Sequence, residues 1–182
     1  AASNSEPARS EIRAGPMRAA IDIGSNSLLL LVQDGDKVVH DEARVIGLGK
    51  GMGERGLFKP DRMEAATAAL TDFAVKLREL GIAPGDVRAV ATSASRRALN
   101  AGTFYANVLR ATGIKVDVIS GEEEARLTWL GSLSGIDLPS GPVLLCDPGG
   151  GSTEIILGEA GQIRQRTSLE IGTVRLTERF LG

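Results

Sequence analysis

Two short stretches concentrate residues able to handle phosphate chemistry. Residues 147–155 read DPGGGSTEI and follow the apolar run VLLC, and residues 19–27 read AAIDIGSNS. Each sets an aspartate at the end of an apolar run, then a glycine, then small polar residues. Consecutive glycines destabilise regular structure, so Gly149, Gly150 and Gly151 imply either a close approach to the backbone or a turn that a side chain would obstruct. Between two strands, such a turn aims backbone N–H groups into a concavity suited to phosphate oxygens. Ser152 and Thr153 add hydroxyl donors, and Asp147 stands where a carboxylate holds a divalent cation or a water. A tight hairpin without ligand would explain one glycine triplet. Two copies, with Asp22 and Asp147 lying 147 − 22 = 125 residues apart, favour a phosphate site.

The elements needed to position these turns are legible in the hydrophobic pattern. AAIDI, LLLLV and KVVHDEARVIGLG predict an antiparallel three-strand meander, with Asp34–Gly35 as a hairpin turn and a glycine-rich loop at 47–56. A helix follows: Pro60 suits its first turn, Asp61 and Glu64 suit the positive end of its dipole, and Gly81 ends it. Met63, Ala66, Leu70, Phe73 and Leu77 recur at helical spacing and form its buried face. DVRAVATSA predicts a strand running into small polar residues, residues 103–112 a helix stopped by Gly113, and KVDVIS a further strand. Ser120 opens the next helix, with Glu123 reaching back to complete a capping box. After the turn-rich GIDLPSGP the opening pattern returns: three strands and a helix over 173–181, where the sequence stops.

A repeated supersecondary unit implies two lobes with a cleft between them. The expected division is a flexible leader at 1–16, a first lobe at 17–136 and the beginning of a second at 137–182. Because the second copy breaks off after one helix, its sheet is expected to expose a face. The chain therefore reads as part of a longer protein, or as one completed by another chain or in a homodimer.

Bulk composition narrows the partners. A formal charge of −2 and 3% aromatic content argue against a nucleic-acid binder, so an anionic ligand must be held by local charge and dipoles. No stretch approaches a membrane span, and the leader lacks the apolar segment of a secretory signal, which implies a cytoplasmic protein. Cys146, alone in an apolar run, reads as a buried small hydrophobe, and His40 as a solvent-facing strand residue.

Four motifs, AAIDIGSNS, ATSASRRALN, VISGEEEARL and DPGGGSTEI, in this order and spacing, resemble the exopolyphosphatase / guanosine pentaphosphate phosphohydrolase (Ppx/GppA) family. The resemblance runs from Met17 to the end of the chain. It implies an α/β actin-like ATPase (ribonuclease H-like) fold with a mixed five-stranded sheet, flanking helices and the start of a second copy. It implies hydrolysis of terminal phosphoanhydrides with Mg²⁺ or another divalent cation. The substrate would be inorganic polyphosphate, with guanosine pentaphosphate as the alternative, or the chain would bind such a ligand without turnover.

Residue by residue, Glu124 matches the general base. The capping role of Glu123 agrees with this, since it leaves Glu122 and Glu124 free, and Glu122 reads as a first-turn carboxylate favoured by the dipole. Arg96 matches the phosphate-binding arginine, and Arg97 a solvated neighbour. Gly24, Ser25 and Asn26 match the first phosphate loop, with Asp22 beside them. Asp22, Asp147 and Glu154 match acidic positions suited to the metal, although Glu154 can equally position water. Two departures stand out. Pro148 replaces a residue whose N–H is available in the family, and Lys50 puts positive charge where an acid is common, serving either the cleft or simply the surface.

Overall fold

Strict alternation builds the first sheet. β1 (Arg18–Ile23) buries Ala19, Ile21 and Ile23, and β2 (Ser27–Asp34) buries Leu28, Leu30 and Val32, the period-2 signature of a strand with one face in the core. These elements belong to a computed structural model that describes residues 17–53, 55–137 and 140–181. The leader expected over residues 1–16 lies outside them. β3 (Lys37–Val45) pairs antiparallel with β2 after a turn in which Gly35 has φ +58°. β4 (Val87–Ala91) and β5 (Val116–Val118) add on the other side of β1 in parallel, giving the order β3-β2-β1-β4-β5.

α1 (Pro60–Glu79) packs against this sheet through Ala66, Leu70, Phe73 and Leu77, with Met63 half-buried at the margin of the core. Pro60 occupies its first turn. α3 (Ala101–Thr112) runs beside α1 and ends at Gly113, whose φ of +77° closes the helix as only glycine does without strain. One element differs from the sequence reading: residues 93–97 form a short helix, α2 (Ser93–Arg97), rather than the tail of a strand. Five residues are too few to carry a helical period.

α4 (Gly121–Ser132) begins on Ser120, whose Oγ accepts from the Glu123 N–H at 3.1 Å. The expected reciprocal half of the capping box is absent. Glu123 instead pairs with Arg126 one turn on, through two bonds of 2.8 Å. The cap thus rests on a single hydroxyl, and Ser120→Ala is expected to lower stability by about 1 kcal/mol in urea denaturation.

α4 packs on the second sheet. That sheet is antiparallel, in the order β6-β7-β8: β6 (Pro142–Pro148), β7 (Thr153–Glu159) and β8 (Gln162–Leu169). Trp129 is buried with Ile156 against Val143, Leu145 and Ile163, and its Nε1 donates to the Gly161 carbonyl at 3.1 Å. Among the described residues, nothing covers the opposite face. Leu144 is 69% exposed, and Leu157 and Cys146 are exposed too. This corrects the expected burial of Cys146: it pairs with Ile155 on the side facing away from α4. His40 is also not simply solvent-facing; it is half-buried and bonds Glu42 at 3.0 Å. α5 (Thr173–Phe180) follows β8.

Candidate active site

The two glycine turns are one structure built twice. In the first, the Gly24 N–H donates to the Ser27 carbonyl at 2.9 Å; in the second, the Gly149 N–H donates to the Ser152 carbonyl at 2.9 Å. Each pair sits at the same offset from its aspartate, Asp22 or Asp147. The three consecutive glycines serve close approach, since none of them has a positive φ. A Cβ on Gly150 would lie 3.1 Å from the Asn26 side chain, and one on Gly151 would strike the Ser25 and Ser93 hydroxyls. The second turn is therefore pressed against the first and against the start of α2.

Around the paired turns lies a cavity of about 360 Å³ whose walls include Asp22, Asp147, Glu154 and Glu124. Gly24, Ser25, Asn26, Gly149, Gly150, Gly151 and Ser152 line the same space. Asp147 and Glu154 face each other directly across β6 and β7, an arrangement of like charges that weakens a sheet. Glu154 is 2% exposed, and one of its oxygens accepts from Ser168 Oγ at 2.7 Å. Burial, and then the charges of Asp147 and Glu154, push the Asp22 carboxyl from 3.8 up to about 6. Its Oδ1 is buried without a hydrogen-bond partner.

Glu124 reaches this cavity because α4 is fixed at both ends, by the Ser120 cap and by Trp129 in the second sheet. Its Oε2 accepts from Arg96 Nη1 at 2.6 Å. Burial raises the Glu124 pKa and the Arg96 hydrogen bond opposes the rise, but the shift remains upward, with Glu154 and Asp22 adding to it. Arg96 also donates to the Ile119 carbonyl at 3.2 Å, and its buried Nη2 makes no hydrogen bond but lies 3.9 Å from Glu170 Oε1. It holds Glu124 rather than lining the carboxylate cavity, and the one amino group it has to offer a phosphate is Nη2.

Thr153 is turned aside: its hydroxyl donates to the Ile171 carbonyl at 2.5 Å. Pro148 lines the cavity and contributes no N–H. Lys50 is exposed, with its stem lying over Gly47, and it lines neither this cavity nor the larger one beside it. Arg97 is exposed, as expected.

Sequence reasoning missed Ser168, Thr92 and Thr173, of which the last two line the cavity. It also missed Gly172. The start of α5 is docked onto the second turn, with the Thr173 N–H on the Gly149 carbonyl at 2.9 Å and the Val174 N–H on the Gly150 carbonyl at 3.0 Å. A Cβ on Gly172 would stand 2.5 Å from the Gly150 backbone. Gly172→Ala must displace either helix or turn. It is expected to lower stability by about 1–3 kcal/mol, read from the urea midpoint.

Among the described residues, no three His, Cys, Asp or Glu side chains form a ready-made metal cage. Mg²⁺ does not require one, because it keeps several waters and takes one or two carboxylates together with substrate phosphates. The unpartnered Asp22 oxygen, set among like charges, is the donor such a cation would satisfy, so the residues present fit it.

A mixed sheet of this order, followed by a second sheet that repeats its first hairpin, is the actin-like ATPase fold, here with paired glycine turns. The model of the Ppx/GppA phosphatase family matches residues 31–182, and the chain belongs to that family. It is similar to exopolyphosphatase 2 of Mycobacterium tuberculosis, with 42% identity over 176 residues, covering 90% of this chain and 54% of the relative. It is also similar to the guanosine-5'-triphosphate,3'-diphosphate pyrophosphatase of Vibrio cholerae, with 37% identity, covering 93% of this chain and 34% of the relative. Among solved structures, an exopolyphosphatase from Cytophaga hutchinsonii superposes with a TM-score of 0.85 at 33% identity, covering 90% of this chain and 53% of that one. The chain thus spans about half, or less, of the length of the relatives it matches.

Proposed function

We propose that the protein is an exopolyphosphatase, removing orthophosphate from the end of inorganic polyphosphate. The observation carrying this reading is the convergence of Glu124, Asp22, Asp147 and Glu154 with both glycine turns on one cavity. The turns cradle the terminal phosphate. Glu124 takes a proton from a water whose oxygen bonds to the terminal phosphorus, while the anhydride P–O bond on the far side breaks. The products are orthophosphate and a chain shortened by one unit. The Arg96 Nη2 offers a charged donor to a phosphoryl oxygen. Ser168 orients Glu154, and both glycine turns exclude side chains that would keep the phosphate away from the backbone.

Asp22 and Asp147, with Glu154 as a further ligand or as the residue that orients water, would hold Mg²⁺. When bound, the cation neutralises charge on the transferred phosphoryl group. No helix of the described residues is long and apolar enough to cross a membrane, which suits the cytoplasmic setting that belongs to this proposal. So does completion of the second sheet's open face by further chain or by a second copy.

The test is orthophosphate release by the intact protein from a polyphosphate of defined length and from guanosine pentaphosphate, with Glu124→Ala as the blank. Release from polyphosphate above the blank is expected. Release from the nucleotide alone would reassign the substrate, and no release above the blank from either would refute hydrolysis.

A further inference from the structure

Two hydroxyls are buried together behind the carboxylate cavity. Tyr105, on α3, is 7% exposed, and Ser95, on α2, is 4% exposed. Their oxygens lie 2.7 Å apart, and either can donate. Burial pushes the Tyr105 pKa up, so the phenol keeps its proton and the contact is a neutral hydrogen bond. The ring is buttressed in turn. Phe104 packs beside it with ring centres 4.9 Å apart, and Phe58 meets Phe104 edge-on at 5.7 Å.

Stability alone does not call for such a pair. Phenylalanine with alanine would keep most of the packing, remove two polar groups and be nearly neutral. A satisfied polar contact in a core does something else: it fixes one arrangement of the groups around it. Here it fixes α2. A helix of five residues does not form by itself, because closing one turn fails to offset the cost of nucleation. Its placement comes from its neighbours. The Ala94 N–H donates to Ser25 Oγ at 3.2 Å, which ties α2 to the first glycine turn, and Ser95 ties it to α3.

Arg96 is the next residue. Successive helical side chains point roughly 100° apart. With Ser95 turned into the core, Arg96 is directed towards Glu124 Oε2 at 2.6 Å and the Ile119 carbonyl at 3.2 Å. A continuous line of contacts thus runs from Phe58 through Phe104, Tyr105, Ser95 and Arg96 to Glu124. Tyr105 is not among the residues lining the carboxylate cavity.

We propose that Tyr105 is a positioning residue for the reaction: through Ser95 it sets the placement of α2, and with it the grip of Arg96 on Glu124. Its bearing on turnover rests on the proposed role of Glu124 as the base; its hold on Arg96 does not.

The test uses Tyr105→Phe/Ser95→Ala in the intact protein, which removes the bond without leaving either hydroxyl buried and alone. The urea midpoint is expected to stay near wild type. Orthophosphate release at saturating polyphosphate is expected to fall about 10-fold, within the loss of about 100-fold that a 1 Å misplacement can cause. In an Arg96→Ala background the same two substitutions should cause no further fall, since their effect passes through Arg96. The charged groups facing Glu124 are Arg96, Glu154 and Asp22, of which Arg96 alone favours the ionised carboxyl. The acidic limb of the pH profile should therefore move to higher pH in the double variant, as in Arg96→Ala. NMR of the Arg96 guanidinium supplies a readout without turnover: its Nη protons, slowed by the Glu124 bond, should exchange faster in the double variant. Should the midpoint of the double variant fall, Tyr105→Phe alone serves the same comparisons, because a lone Ser95 hydroxyl can turn to a carbonyl of the preceding turn.

Wild-type release with an unmoved acidic limb overturns the proposal, and so does a loss as large without Arg96 as with it. An Arg96 signal left unchanged by the substitutions overturns it too. Failure of the proposed reaction has a different signature: faster exchange at Arg96 in a protein that shows no Glu124-dependent phosphate release. That result upholds the hold of Tyr105 on Arg96 and refutes the hydrolysis.

Discussion

Replacing Glu124 by glutamine is expected to slow orthophosphate release by about 10²–10⁴-fold, the usual contribution of a positioned general base. Glutamine is the informative choice because it preserves what Glu124 does for the fold. Its amide oxygen can still accept from Arg96, and α4 keeps its Ser120 cap and its Trp129 anchor. The urea midpoint should therefore stay close to wild type while turnover falls.

The pH profile distinguishes a base from a structural partner. Burial lifts the Glu124 pKa above the ordinary carboxylate value, against the opposing Arg96 hydrogen bond. Wild-type activity should rise with pH as Glu124 loses its proton, and that acidic limb should vanish in the glutamine variant. Arg96→Ala removes the interaction that favours the charged carboxylate, so it should move the limb to higher pH. A glutamine variant that turns over at nearly the wild-type rate with its acidic limb intact would place the base elsewhere.

Much of this site was legible before any coordinates. The AAIDI and LLLLV runs fixed which residues of β1 and β2 face the core, because alternation leaves one consistent inside face. The repeated Asp-x-Gly signal led to two turns that share a hydrogen bond as well as a pattern. Glu124 was matched by the family resemblance, and the Ser120 cap four residues before it agreed with that match. What was missed arises from contacts between distant segments. Ser168 meets Glu154 only because β8 folds back along β7, and Gly172 meets Gly150 only because α5 returns to the turn. Nothing near Ser168 or Gly172 in the sequence signals those partners. Cys146 was misread because an apolar run reveals affinity for a core and not which of its two faces is covered. Arg175 and Arg179, four apart on α5, were not singled out, because nothing near them in the sequence signals the Gly49–Gly53 loop opposite them.

The site also stores unfavourable charge, and Asp22→Asn is expected to make the metal-free protein more stable. A carboxyl whose folded pKa is about 6 against an ordinary 3.8 binds its proton more tightly when folded. Below the lower value both states are protonated and Asp22 contributes nothing. Between the two values the unfolded chain ionises first, so stability falls as pH rises, and above about 6 the whole penalty is present. Two pKa units correspond to roughly 2–3 kcal/mol. Asparagine removes the charge while keeping the shape, and so relieves the repulsion from Asp147 and Glu154.

In EDTA at neutral pH the variant should therefore unfold at higher urea than the wild type, and the difference should close as the pH is lowered towards 4. Added Mg²⁺ should raise the wild-type midpoint and leave the variant's nearly unchanged, because the displaced cost is the one the cation relieves. Phosphate release by the variant should be largely lost, which separates stability from function at a single atom. An Asp22→Asn protein less stable than wild type at neutral pH would mean that Asp22 supports the fold, and the case for a cation there would fall with it.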